Sequence, residues 1–377
     1  MHFTLHLTNS CNMNCGYCYS PPCDDLEMSE ETAFKAVEYA AQLDPLNAGI
    51  IFFGGEPLLK KDLIKNSIKH CQSLESAGHA RFHYKVTTNG LLIDRDFLDY
   101  ADQVRLNVAL SVDGIREAHD FHRRDRAGKP TFEKIADKIP QLLRHQPYAN
   151  VMMTVSAETV RYYYDSVEYL LNCGFKYLIV SLNYAGDWTD DHLRELRRQY
   201  LLLANLYKRL TLKEKKFYFS PFEVKLASHI KGEEAHCSRC VLGKRQVSVA
   251  PDGSIYPCVQ FVQDGKFNTK FAIGHIKSGI DPHRQESLYQ MSLQMDDSCR
   301  ECALKTRCNH DCSCLNWQTT REINKVSPVL CESEKILIPI VDRLGEYLYR
   351  KKSPMFIQKH YNAAYPYLSL LEDRQSI

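Results

Sequence analysis

The stretch Thr8-Asn9-Ser10-Cys11-Asn12-Met13-Asn14-Cys15-Gly16-Tyr17-Cys18 sets three cysteines at C-x3-C-x2-C, directly after residues 3–7, which alternate as a strand does. Three thiolates on one short loop can hold three corners of a cubane iron–sulfur cluster and leave the fourth iron without a protein ligand. An open iron is a place for a small molecule to bind and receive an electron. A structural zinc knuckle is the competing reading of Cys11, Cys15 and Cys18, but zinc needs a fourth ligand and usually takes paired C-x2-C units.

Outward from this loop, strand and helix patterns alternate about six times. Strands are expected at 49–53, 83–87, 105–111, 150–155 and 177–182. Helices are expected at 29–43, 62–77, 97–101, 131–144 and 164–172. Ser29 caps the first of these, with Glu30 and Glu31 in the first turn where the helix dipole favours acids. The alternation predicts a parallel α/β fold with crossover helices, whose ligands sit at the carboxyl ends of the strands. The cluster loop, Gly54-Gly55-Glu56-Pro57, Asn89, Ser111 and Tyr184 all follow strands and so share that side. After a charged helix at 190–210 and the linker Lys213-Glu214-Lys215-Lys216, alternation stops and cysteine density rises, which puts a domain boundary near 215. A final amphipathic helix is expected at 332–351, with Ile336, Ile340, Leu344 and Leu348 on one face and Pro339 near its first turns. The tyrosine-rich last 25 residues resist assignment.

The bulk numbers exclude several classes. A net charge of +2 gives no general attraction to nucleic acid or anionic membrane. No apolar run approaches the roughly 20 residues of a membrane span, and the N-terminus carries no signal-peptide pattern. Fifteen cysteines in a 377-residue chain without signs of secretion point to metal or cluster ligation in a reducing cytoplasm, not to disulfides.

The C-x3-C-x2-C run with an aromatic before its last cysteine resembles the signature of the radical S-adenosylmethionine (SAM) superfamily. Gly54-Gly55-Glu56-Pro57 looks like the motif of that family that meets the SAM amino group. Ser111-Val112-Asp113-Gly114, followed by His119-Asp120 and Arg123, looks like a stretch of its peptide-modifying branch. The resemblance implies a partial (β/α)6 TIM-like barrel and a 4Fe-4S cluster at Cys11, Cys15 and Cys18. SAM would chelate the open iron and be cleaved to methionine and a 5′-deoxyadenosyl radical, which takes a hydrogen atom from the substrate. It also implies SAM contacts at Tyr17 and Tyr184 on the adenine side, Gly54 and Gly55 at the amino group, and Ser111 and Arg123 at the ribose and carboxylate. Glu56 would contact or orient the amino group, and Asn89 lies at the same rim. Bland readings exist beside these: Ser111 can cap a turn, Arg123 can belong to a solvated basic run, and Tyr184 can be core.

Nine further cysteines fill the C-terminal third. Cys240-x12-Gly253-x4-Cys258, then Cys299-x2-Cys302-x5-Cys308-x3-Cys312 and Cys331, look very like the seven-cysteine SPASM pattern, which carries two auxiliary 4Fe-4S clusters. Cys237 supplies an eighth thiolate. By this resemblance one auxiliary cluster takes Cys237, Cys240, Cys258 and Cys312, and the other takes Cys299, Cys302, Cys308 and Cys331. Two four-cysteine zinc sites are the alternative. Cys314 is left over beside Cys312; it can replace that ligand, act as a redox or substrate-handling thiol, or be a buried bystander. The implied organisation is a radical SAM barrel at 1–215, a SPASM domain at 216–335 and a C-terminal helical tail at 336–377.

Relatives of this layout act on peptides or proteins. The sulfatase-maturing branch makes formylglycine and carries a catalytic Asp after the Pro-Cys of its auxiliary site. Here Val259 follows Pro257-Cys258 and cannot take a proton. The expectation is therefore a maturase of ribosomally made peptides that forms thioether or carbon–carbon crosslinks. A flavodoxin- or ferredoxin-type reductant would supply electrons. Only ten residues precede Cys11, so leader recognition is expected from a separate protein, or else the substrate is held by the barrel, the linker or the tyrosine-rich tail. Asp113, Asp187 and Tyr184 are the candidate bases at the barrel mouth. A formylglycine-generating sulfatase maturase, a radical SAM enzyme on a small-molecule cofactor precursor and a protein that only relays electrons are the alternatives.

Overall fold

A computed structural model describes residues 1–19, 26–232, 240–262 and 270–375, with side chains to 372. Its first half is a repeating strand–helix unit. β1 (His2–His6), α1 (Glu30–Leu43), β2 (Ala48–Phe53), α2 (Lys61–Ser76), β3 (Phe82–Thr88), α3 (Arg95–Gln103) and β4 (Leu106–Ser111) come first. α4 (Arg116–His122), α5 (Phe132–Ala136), α6 (Ile139–His145), β5 (Asn150–Val155), α7 (Tyr163–Asn172), β6 (Tyr177–Leu182) and α8 (Asp190–Leu212) follow. Strands β1 to β6 lie side by side in chain order and all pair in parallel, as in a partial (β/α)6 barrel. Alternation assigns the faces. Phe3 and Leu5 of β1 are fully buried in the layer beneath the helices, while His2, Thr4 and His6 point to the opposite, concave face.

The second half closes onto both edges of this sheet. β7 (Tyr218–Phe219) pairs in parallel with β6 and leads into α9 (Ser220–Lys231). β8 (Gln246–Val249) pairs in parallel with β1, and β9 (Ser254–Tyr256), β10 (Gly274–His275) and β11 (Gly279–Ile280) extend that edge antiparallel. Helices α10 (Pro282–Leu293), α11 (Asp297–Arg300), α12 (Ser313–Thr320), α13 (Pro328–Arg350), α14 (Pro354–Tyr361) and α15 (Tyr365–Gln375) complete the chain. Among the described residues no helix is long and apolar enough to cross a membrane.

Two expectations are corrected and one gap is filled. The helix foreseen at 131–144 is two helices, because Pro140 cannot donate to the Ala136 carbonyl; the chain turns at Asp137 and Lys138 and starts again with Pro140 in the first turn. The last long helix starts at Pro328, not 332, since the Ser327 hydroxyl caps it by accepting from Leu330 N at 3.4 Å; Pro339 therefore lies in its interior. The tyrosine-rich end forms α14 and α15.

Candidate functional site

The cluster loop leaves β1 at the carboxyl edge of the sheet and is pinned on two sides. Gly55 N donates to Thr8 O at 2.8 Å and Glu56 N to Ser10 O at 2.9 Å. From the other side Asn14 N donates to Arg124 O (2.8 Å), Gly16 N to His122 O (3.0 Å), and Arg126 Nε to Cys11 O (2.6 Å). The approach of the Gly-Gly turn is too close for side chains. A Cβ on Gly54, whose φ is +133°, would sit 2.4 Å from Thr8 O, and one on Gly55 would sit 2.2 Å from Ser10 O.

Glu56 does not face outward from this turn. One oxygen accepts from Leu58 N (2.9 Å) and Thr88 Oγ1 (2.7 Å), and the other accepts from Asn89 N (2.8 Å). Burial lifts its pKa to about 7. It is a positioning residue: it aims Asn89, whose Nδ2 reaches Asn12 Oδ1 at 2.7 Å and lies 3.8 Å from Cys11 Sγ.

The donor set fits an iron–sulfur cluster. Cys11 and Cys15 are half-buried and Cys18 is exposed. Burial pushes the Cys11 thiol up to about 12 and Cys15 up to about 11, although Met13 N donates to Cys11 Sγ at 3.4 Å. Thiolates there need a cationic partner, which a cluster's irons provide. Among the described residues no three His, Cys, Asp or Glu side chains converge as the ligands of one metal ion do.

Beside the loop, Tyr17 OH and Arg123 Nε (2.9 Å) both donate to Asp113 Oδ2, and Thr154 N donates to Oδ1 at 2.9 Å. The Arg123 guanidinium lies 5.4 Å from the Tyr17 ring centre, and the His122 ring lies 4.9 Å from it. Burial opposes the Arg123 charge, but Asp113 more than restores it and raises the pKa above the ordinary value. Asp113 is thus spent on orienting two candidate SAM contacts and is no free base. Ser111 is half-buried at the last position of β4. Asp187 is exposed after β6. Tyr184 turns towards Ser333 and Glu334 of α13, and burial raises its pKa.

The distal cysteines fall into two groups. Cys240 lies in the electrostatic field of Cys312 and Cys258. Cys299 lies in that of Cys331 and Cys302, and Cys308 in that of Cys299. Cys314 is buried with its Sγ 3.6 Å from that of Cys312. Cys237 lies outside the described residues. Tyr19 joins this centre to the first. Its hydroxyl is buried without a hydrogen-bond partner among the described residues, and Cys258, Cys18 and Cys314 all act on it. Sequence reasoning missed Tyr19, His122 and Arg126. Tyr19 directly follows Cys18, a signal that was legible; the other two come to the loop across more than a hundred residues.

A family model described as the radical SAM superfamily matches residues 5–200. The chain is 22% identical over 324 residues to the cysteine-type anaerobic sulfatase-maturating enzyme of Clostridium perfringens, which spans 81% of this chain and 86% of that protein. It is 30% identical over 175 residues to an uncharacterized protein of Methanocaldococcus jannaschii, 46% of this chain and 60% of that one, so this match covers less than two thirds of the relative. The structure of anSMEcpe with bound AdoMet superposes with a TM-score of 0.77 at 19% identity, over 92% of this chain and 99% of that one. SuiB of Streptococcus suis bound to precursor peptide SuiA superposes with 0.61 at 15% identity, over 88% and 75%. At these identities the structural likeness establishes the fold.

Proposed function

The chain belongs to the radical SAM superfamily, and from that premise we propose that it oxidatively modifies a peptide or protein, forming a thioether or carbon–carbon crosslink in a ribosomally made peptide. A 4Fe-4S cluster and SAM come with the family, and when bound they supply hydrogen-atom abstraction. Cys11, Cys15 and Cys18 hold that cluster. Gly54 and Gly55 would offer backbone to the SAM amino group, Glu56 aims Asn89, Asp113 orients Tyr17 and Arg123, and these two with Ser111 would hold SAM.

The observation that carries the oxidative reading is the second thiol centre at Tyr19. Making a crosslink removes two hydrogens from the peptide: one as an atom, the other as a proton and an electron. Cys240, Cys258 and Cys312 with Cys237, and Cys299, Cys302, Cys308 and Cys331, would hold two auxiliary clusters, which would supply an acceptor for that electron. The likeness to sulfatase-maturating enzymes supports a second reading, formylglycine formation. Val259, half-buried beside Cys258, supports the first instead, because it offers no base there. A flavodoxin or ferredoxin in a reducing cytoplasm would deliver the electrons, and a separate protein can present the leader.

Mass spectrometry of a precursor co-expressed from the neighbouring reading frame tests this. The expected product has lost the mass of two hydrogens and no carbon. An unmodified precursor with SAM turnover intact would overturn the crosslinking reading.

A further inference from the structure

At the amino ends of the strands, opposite the cluster loop, lies a cavity of about 1520 Å³. Its walls come from the barrel floor, the segment after α8 (Lys216, Phe217, Tyr218) and the tail helix α15 (Tyr365, Ser369). Lys216 donates to the Ser369 carbonyl and so ties the tail to the floor.

The charges in this cavity do not cancel. Every acid lining it is engaged: Glu75 accepts from Phe82 N (2.8 Å), Asp102 pairs with His145 (2.7 Å), and Glu223 pairs with Lys359. Two cations are not. Among the described residues the side chains of Lys85 and Arg105 have neither a hydrogen-bond nor an ion-pair partner. Arg105 is exposed at the rim, but Lys85 is not. It projects from the middle of β3 on the concave face, in register with Ile51 and Asn107. One step below it His2 and His83 meet edge to face at 5.1 Å over Gly49, where a Cβ would sit 2.4 Å from His2 Nδ1. Burial lowers the pKa of both imidazoles, with Asp44 acting the other way, and burial alone lowers that of Lys85. A half-buried ammonium without a counter-ion is costly, and an anionic ligand relieves the cost.

We propose that this cavity is a recognition site for an acidic segment of the peptide substrate, with a carboxylate of that segment on the Lys85 ammonium and apolar side chains against Phe217, Tyr218 and Tyr365. The proposal rests on the peptide reading above. Because the cavity and the cluster loop are at opposite ends of the strands, it recognises the peptide and takes no part in the chemistry.

Calorimetric titration tests it with three probes: the peptide acetyl-Glu-Leu-Glu-Leu-amide, its Gln-for-Glu counterpart, and inorganic phosphate. Wild-type protein should bind the acidic peptide at least about tenfold more tightly than the Gln peptide, Lys85→Met should lose that preference, and Lys85→Arg should keep most of it. Iron content and far-UV circular dichroism equal to wild type would establish that Lys85→Met is folded. Equal affinity of wild type and Lys85→Met for the acidic peptide would overturn the proposal, as would binding of phosphate without binding of the peptide. The Lys85-dependent preference seen together with an unmodified precursor would sink crosslinking and leave this site standing.

Discussion

Glu56 lies in a motif where an acid is expected to meet a ligand, yet its two oxygens are filled by three donors of the protein itself, Leu58 N, Thr88 Oγ1 and Asn89 N. Its pKa stands at about 7 in the folded chain, raised by burial, against 4.5 for a free side chain. Between these values the folded protein holds a proton that the unfolded chain has released. Stability should therefore fall as pH rises from 4.5 through about 7 and stay level above, a loss of about 3 kcal/mol in all. In the apoprotein Glu56→Gln should flatten this slope, which thermal unfolding at about pH 5 and about pH 8 would measure. A slope unchanged by the substitution would show that Glu56 is already ionised in the fold. At this scale the sequence named Tyr17, Asp113 and Arg123 one by one. Their mutual contact was not legible, because Tyr17 and Asp113 are 96 positions apart and nothing local records that they meet.

Strands and helices of the barrel were legible, because periods of two and of about 3.6 residues persist over whole elements. Where they were misjudged, a single residue decided: Pro140 splits α5 from α6, and Ser327 starts α13 early. The pairing of β8 with β1 left no mark, since a four-residue strand carries no record of a partner some 240 positions away. The turn after β2 shows an element made by its neighbour. Gly55→Ala would drive a Cβ against the Ser10 carbonyl, and every atom it meets there is backbone. It should cost about 2–3 kcal/mol and lower the iron retained on reconstitution, because the cysteine loop must shift. Gly78→Ala is the control. Gly78 has a positive φ, +76°, which Gly55 has not, but nothing lies within 4 Å of its would-be Cβ, so its cost should be backbone strain alone, about 1 kcal/mol, with iron content unchanged. Equal losses in both variants, read by thermal unfolding, would mean that the turn yields to a Cβ at Gly55 and that the close approach to Ser10 does not hold the loop.

On the scale of the whole molecule, the two cysteine centres are held in one frame by α13, which packs on α8 and α9. Its anchor is an ion pair: Lys225 of α9 stands 2.7 Å from Glu334 of α13, with side chains 2% and 6% exposed. Lys225 also donates to Arg307 O at 2.9 Å, and Arg307 forks onto Asp342 of α13. Lys225→Met would strand the Glu334 charge and should cost about 3–5 kcal/mol, whereas the double substitution Lys225→Met with Glu334→Leu should recover most of it. Chemical denaturation of the three proteins decides; a double variant no better than the single one would mean that the pair contributes net stability. On the function proposed above, the two centres would divide the labour. Cys15 is at the cluster loop and Cys302 in the distal group with Cys299 and Cys331. Cys15→Ala should abolish 5′-deoxyadenosine formation. Cys302→Ala should leave some, but without product, because hydrogen abstraction needs only the first centre and the departing electron needs the second. Chromatographic assay of 5′-deoxyadenosine beside mass spectrometry of the precursor separates these outcomes. Persistence of 5′-deoxyadenosine in Cys15→Ala would remove the cluster from this loop, and full product from Cys302→Ala would free the distal centre from any part in electron transfer.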